Sequence, residues 1–168
     1  TARGPLLRSG ARPGDRILVS GSFGGSILGR HLDVEPRVRE ALLLHANYEL
    51  HAGIDCSDGL SLDLSRLAAS SNCGAEVDMS KIPIAAAAYE LAKQTSDTNA
   101  LSHALSDGED FELILAVPPA AAAQIISEQP CAPVHFTDIG QFVAQRGLWQ
   151  RSESGAVLPL EAKGFVHQ

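Results

Sequence analysis

The sequence predicts an α+β domain in which one mixed, largely buried β-sheet carries packed helices. Three observations predict it. The 168 residues are 45% apolar and 20% charged, the balance of a chain that can close one core. Short apolar runs of strand length are interleaved with stripes at helical spacing. The strands and helices follow one another in mixed order, which suits a sheet with helices laid on it.

Arg12-Pro13-Gly14-Asp15 has turn composition, and Ile17-Leu18-Val19 after it is an apolar run suited to a buried strand. Gly21-Ser22-Phe23-Gly24-Gly25-Ser26 then reads as a flexible loop. A helix is predicted over 36–51, with Pro36 in its first turn and Val38, Ala41, Leu42, His45 and Ala46 on one face. It feeds a strand over 52–56.

Leu60, Leu64, Leu67 and Ala68 form a stripe that makes an amphipathic helix beginning just after Asp58, with Gly74 as its C-terminal cap. Residues 75–79 read as a strand, Pro83 as a break and 85–94 as an alanine-rich helix. Phe111, Leu113, Leu115 and Val117 alternate with Glu112, Ile114 and Ala116, the clearest period-two strand in the chain. Pro118-Pro119 ends it, and Pro119 opens a helix over 120–128. Short strands are expected around Ile139, Leu148-Trp149 and Val157-Leu158. No internal repeat is present, and no local signal encodes the strand order.

A formal charge of −7 and a pI near 5.3 argue against the electrostatic footprint of a nucleic-acid or anionic-membrane binder. Cys56, Cys73 and Cys131 form no C-x-x-C pair, so neither a disulfide framework nor a zinc ribbon is indicated, and a reducing cytoplasm is the expected compartment. No apolar run reaches transmembrane length. The opening residues lack an initiator Met and a secretory apolar core and read as a cut in mid-protein. Residues 1–15 are expected to be a linker from a missing amino-terminal domain, and 16–168 the α+β domain.

The segment Ile54-Asp55-Cys56-Ser57-Asp58-Gly59-Leu60 places two carboxylates and a hydroxyl where a strand becomes a helix. If the strand persists, Asp55 and Ser57 share one side of it. Hard oxygen ligands suit Mg²⁺, which takes one or two carboxylates plus water and phosphate oxygens, and a helix N-terminus favours phosphate. The other reading leaves Ser57 or Asp58 as a helix cap and Asp55 as a strand-end residue. The residues alone leave both open.

Ser106-Asp107-Gly108-Glu109-Asp110 stands before the strong strand, where Glu109 and Asp110 can meet a cation or a metal. On spacing alone, a solvated turn with Gly108 at positive φ is the better reading. Residues 21–26 fit neither the dinucleotide fingerprint nor the P-loop. Cys56 lies between acids that would raise its pKa, so it reads as a small core-facing residue and not a nucleophile. The histidines at 31, 45, 51, 103, 135 and 167 show no zinc spacing and read as surface or loop residues. Trp149, Tyr48 and Tyr89 are too dispersed to form a nucleic-acid stacking platform.

Seven blocks in order carry a wider likeness: 8–15; Arg30-His31-Leu32 with Pro36-Arg37; 54–60; Cys73-Gly74-Ala75; Ile82-Pro83; Ala104-Leu105-Ser106 with 108–113; and Lys163-Gly164-Phe165. Together they resemble the carboxy-terminal half of the thiamine-monophosphate kinases, in the aminoimidazole-ribonucleotide-synthetase-like superfamily. The resemblance implies that superfamily's carboxy-terminal α+β fold and transfer of the γ-phosphoryl of ATP to thiamine monophosphate, with Mg²⁺ as cofactor. It implies Mg²⁺ at Asp55 and Asp58, ATP at Ser57, and thiamine monophosphate at Glu109 and Phe165. A homodimer is implied for the full-length protein.

Three features depart from that pattern. Asp107 stands where the family has the first glycine of Gly-Gly-Glu-Asp, the stretch between Gly29 and Arg30 is short, and the amino-terminal half that supplies most metal-binding aspartates is absent. The competing readings are another ATP-dependent member of the superfamily, akin to selenophosphate synthetase or a hydrogenase-maturation protein, and a noncatalytic ligand-binding domain.

Overall fold

The computed structural model describes residues 3–95, 98–152 and 154–165. Along the chain run β1 (Arg16–Ser20), α1 (Val38–Asn47), β2 (Ala52–Asp55), α2 (Leu60–Ser70), β3 (Gly74–Asp78) and α3 (Ala86–Gln94). Then follow α4 (Ala100–Ser106), β4 (Leu113–Val117), α5 (Pro119–Glu128), β5 (Phe136–Val143), β6 (Gly147–Arg151) and β7 (Val157–Pro159). The strands form one sheet in the order β2-β4-β1-β5-β3-β6-β7. All neighbours are antiparallel except β3 and β6, so the sheet is mixed, as predicted.

Period-two alternation is what lets this sheet carry two cores. Ile17, Val19, Ile54, Ile114 and Ala116 face one side, where they pack with Leu60, Leu64 and Leu67 of α2. Leu18, Leu115 and Val117 face the other, against Leu44 of α1 and Ile125 of α5. The register pairs like with like, Leu18 opposite Leu115 and Val19 opposite Ile114, so each strand contributes to both layers. Burying one such aliphatic side chain stabilises by about 1.5–3 kcal/mol. Among the described residues no helix is long and apolar enough to cross a membrane.

Several expectations need correction. On α1 the expected apolar face points outward: Val38 and Leu42 are 61% and 54% exposed, while Leu44 and Tyr48 are buried. Gly74 opens β3 and does not cap α2. Asn72, at φ 57°, takes the left-handed position instead, with Cys73 N–H donating to the Ala68 carbonyl and Asn72 N–H to that of Ala69. The strand expected from Phe111 begins at Leu113, because Phe111 itself is left-handed at φ 51°.

The glycine-rich stretch 21–26 is an ordered, largely buried turn. Phe23 is fully buried, its N–H donates to the Pro83 carbonyl, and its carbonyl accepts from Ala85. Helix α4 was not predicted: it has seven residues and no full stripe, and its signal is Asn99, whose side chain accepts the Ser102 N–H at 2.8 Å. His103, on α4, is buried and not a surface residue. His167 lies outside the described residues.

Candidate functional site

The end of β2 is stitched to the chain before β4 by backbone hydrogen bonds that outlast both strands. Cys56 N–H donates to the Glu112 carbonyl at 2.7 Å, Phe111 N–H to that of Cys56 at 2.8 Å, and Glu109 N–H to that of Ser57 at 2.7 Å. Phe165 N–H, from the far end of the chain, donates to the Asp58 carbonyl at 2.9 Å. Glycine permits this convergence. A Cβ on Gly108, which sits at φ 73°, would stand 2.8 Å from the Ser57 carbonyl oxygen, and one on Gly164 would stand 2.1 Å from that of Asp58.

Neither Ser57 nor Asp58 caps α2. The cap residue is Gly59, at φ 121° with no side-chain acceptor, and Asp63 reaches back from the first turn. Its Oδ2 accepts from Ser57 N–H at 3.0 Å and Asp58 N–H at 2.8 Å, and its Oδ1 pairs with Arg66 Nη1 at 2.8 Å. Asp63 is 1% exposed, so a buried carboxylate fixes the loop while the side chains of Ser57 and Asp58 stay half-buried at the surface. The Asp58 carboxylate pairs with Arg66 and lies 3.5 Å from the Ser57 hydroxyl.

These contacts open a cleft of about 370 Å³ lined by Ser57, Asp58, Asp107, Glu109, Phe111 and Phe165. Four of the five expected site residues thus meet in one place. Asp55 does not join them. It lines a neighbouring, more apolar cavity of about 360 Å³ with Val38, Ile54 and Leu113, and Phe111 borders both. Because β2 stops at Asp55, the alternation that would have put Asp55 and Ser57 on one side does not continue. Glu109 and Phe111 both hold left-handed backbones, φ 54° and 51°, an uncommon conformation for non-glycine residues that concentrates at ligand sites.

Next to the cleft lies a polar network of which the sequence pattern singled out only Asp107 and Asp110. Glu112, 2% exposed, receives Arg37 in a fork of 2.9 Å bonds to each oxygen, Arg30 at 2.7 Å and the Ser20 hydroxyl at 2.5 Å. Asp110 accepts the Gly24 N–H at 3.0 Å, and Arg30 also donates to the Asp110 carbonyl at 2.7 Å. Asp107 accepts from Gly25 N–H at 2.9 Å, and the Ser26 hydroxyl donates to the Gly108 carbonyl at 2.7 Å. The glycine loop is therefore the inner wall that holds residues 107–110 in place. Cys56 is fully buried, and burial, reinforced by Asp110 and Asp63, pushes its thiol pKa well up, so it is inert as expected.

Burial pushes the Asp110 carboxyl up to about 7, against the pull of the Gly24 amide and Arg30 and with help from Asp107 and Glu112. In the unfolded chain an Asp titrates near 3.9. Between these values the native state binds the extra proton, so this group's contribution to stability is full below about pH 4 and is lost as pH rises towards 7. Asp110→Asn, which can still accept from Gly24, is expected to flatten this decline. Thermal melts of both proteins at pH 5 and pH 8 check it: the gap between them should shift in favour of the variant at pH 8.

Among the described residues no three His, Cys, Asp or Glu side chains stand close enough to hold a metal between them. Asp55 and Asp58 are hard oxygen donors that line two adjoining cavities, which share Phe111. That set does not fit an all-protein cage. It does fit Mg²⁺, which takes one or two carboxylates and completes its shell with water and phosphate oxygens.

Sheet, paired cavities and carboxylates define a class. Residues 12–148 match the family described as AIR synthase related protein, C-terminal domain, and the chain belongs to that family. Within it, the chain is similar to thiamine-monophosphate kinases. That of Rhodopirellula baltica is 47% identical over 163 residues, which are 97% of this chain and 51% of the relative. The structure of AaThiL complexed with AMPPCP and TMP superposes with a TM-score of 0.66 at 26% identity, over 95% of this chain and 53% of that one. The fold is shared more widely: Escherichia coli HypE, a hydrogenase maturation protein, gives a TM-score of 0.74 at 20% identity over 94% of this chain and 52% of that one, a likeness of fold alone. The chain spans about half the length of the curated relatives it matches.

Proposed function

We propose that this chain is the carboxy-terminal half of a thiamine-monophosphate kinase, which moves the γ-phosphoryl of ATP onto thiamine monophosphate. The bond from that phosphorus to the ADP oxygen breaks, and a new one forms to a phosphate oxygen of the acceptor. The observation that carries the reading is the meeting of Ser57, Asp58, Glu109 and Phe165, from three distant stretches, around one cleft. A carboxylate and aromatic faces suit the cationic thiazolium ring of the acceptor. Glu109 and Phe165 bind that acceptor, and Ser57 contacts ATP. Asp55 and Asp58 hold Mg²⁺, which when bound neutralises the phosphate charge that phosphoryl transfer must bring together. The complete enzyme is a cytoplasmic homodimer whose amino-terminal half supplies further carboxylates.

Assaying the full-length protein with ATP, Mg²⁺ and a panel of phosphate-bearing acceptors tests this reading. Thiamine diphosphate should be the product, and turnover of a different acceptor in its place would refute it. Glu109→Gln is expected to raise the KM for thiamine monophosphate about tenfold and leave that for ATP within about twofold. Equal effects on both substrates would remove Glu109 from the acceptor site.

A further inference from the structure

Asp107 lines the same cleft, and nothing so far gives it a role. Its position departs from the glycine of the family pattern, and its side chain is held from two sides. One oxygen lies 2.9 Å from His103 Nδ1, and the other accepts Gly25 N–H at 2.9 Å. Facing a carboxylate, Nδ1 is the donor. Nε2 of the buried ring is then the acceptor, 2.9 Å from the Thr98 hydroxyl, while the Thr95 hydroxyl, 3.2 Å away, donates to the Leu91 carbonyl. The brace sets the carboxylate before any ligand arrives, so little side-chain entropy is lost on binding. A carboxylate accepts about four hydrogen bonds. The side chain remains 18% exposed, on a cleft whose lining has no Lys, Arg or His.

A neutral acceptor would brace His103 and Gly25 as well, so the brace alone does not call for a charge. The lining of the cleft does. It carries three carboxylates and two phenyl rings, and of the carboxylates Asp58 is paired with Arg66. Asp107, whose partner His103 carries no fixed charge as Arg66 does, and Glu109, flanking Gly108, therefore present negative charge to whatever occupies the cleft. We propose that Asp107 is a second substrate-binding carboxylate of this protein, which together with Glu109 selects a planar aromatic cation by its charge. The proposal rests on the acceptor-site reading above and adds to it a specificity-determining residue.

The test compares two ligands on the full-length protein by isothermal titration: thiamine monophosphate, and an analogue of the same shape whose central ring is neutral. Asp107→Asn keeps an acceptor for the Gly25 N–H, presents its amide N–H to His103 Nδ1, which accepts in the other tautomer of the ring, and removes the charge. It should weaken the cation about tenfold, leave the neutral analogue within about twofold, and keep the thermal midpoint near that of the parent. Should that variant fail to fold, Asp107→Ser, with an uncharged hydroxyl acceptor, is expected to give the same cation-only loss. Equal weakening of both ligands, or of neither, would overturn the proposal and leave Asp107 as a brace. Glu109→Gln serves as the reference. If it discriminates between the ligands and Asp107→Asn does not, this proposal alone fails. If the parent protein shows no preference for the cation, the acceptor-site reading fails with it.

Discussion

Asp55→Asn and Asp58→Asn, each made in the full-length protein, are expected to lower turnover about a thousandfold while leaving the fold intact. The two halves of that expectation have separate grounds. Asp55 is exposed at the end of the edge strand β2, so its charge contributes nothing to the core. Asp58 pairs with Arg66, whose side chain is 36% exposed, and a screened pair of this kind is worth about 0–1 kcal/mol. The loop that carries both is held instead by buried Asp63 and by backbone bonds to 109–112, which neither substitution touches. In the proposed reaction turnover depends on the charges themselves, because phosphoryl transfer asks the protein mainly for positioning and neutralisation. Circular dichroism and a coupled kinase assay decide the matter. Loss of folding would make the carboxylates structural, and near-normal turnover would take them out of the metal site.

What the sequence revealed and what it concealed follow from the range of the interactions involved. Strands β1 and β4 and helix α2 were legible because their apolar periodicity is local and strong. On α1 the same reasoning chose the wrong face, since Val38 and Leu42 are as apolar as the Leu44 that is buried, and only the packing of α1 on the sheet decides between them. The loop 21–26 looked mobile because glycines and serines dominate it. What orders it are carboxylates more than 80 positions away, Asp110 on Gly24 and Asp107 on Gly25. Of the residues that resembled family positions, Ser57, Asp58, Glu109 and Phe165 line one cleft and Asp55 lines the neighbouring cavity. Glu112, Arg30 and Arg37 stayed invisible as partners because the Arg–Glu112 contacts span 75 and 82 positions and no spacing rule reaches so far, whereas Asp63 acts locally, five and six positions from the amides it holds.

The 168-residue chain by itself is expected to fold cooperatively and to show no kinase turnover. Folding is expected because both faces of the sheet are covered. One core runs from Ile17 and Ile114 to Leu64 and Leu67, the other from Leu18 and Leu115 to Leu44 and Ile125, and all eight side chains are 0–1% exposed. The three cysteines are free, so no disulfide is needed to staple the fold. Inactivity is expected because the proposed metal ligands Asp55 and Asp58 belong, among the described residues, to no group of three His, Cys, Asp or Glu side chains that could hold an ion. An ion held so sparsely relies on substrate phosphates and on the carboxylates proposed for the other half of the protein. Without those, the two anionic substrates are neither neutralised nor aligned, and alignment alone is worth about 7–11 kcal/mol of barrier in well-oriented systems. The check is a thermal melt of the purified chain, followed by an assay for thiamine diphosphate with ATP and excess Mg²⁺. Robust turnover would place the whole catalytic site within these residues and overturn the two-part enzyme proposed here.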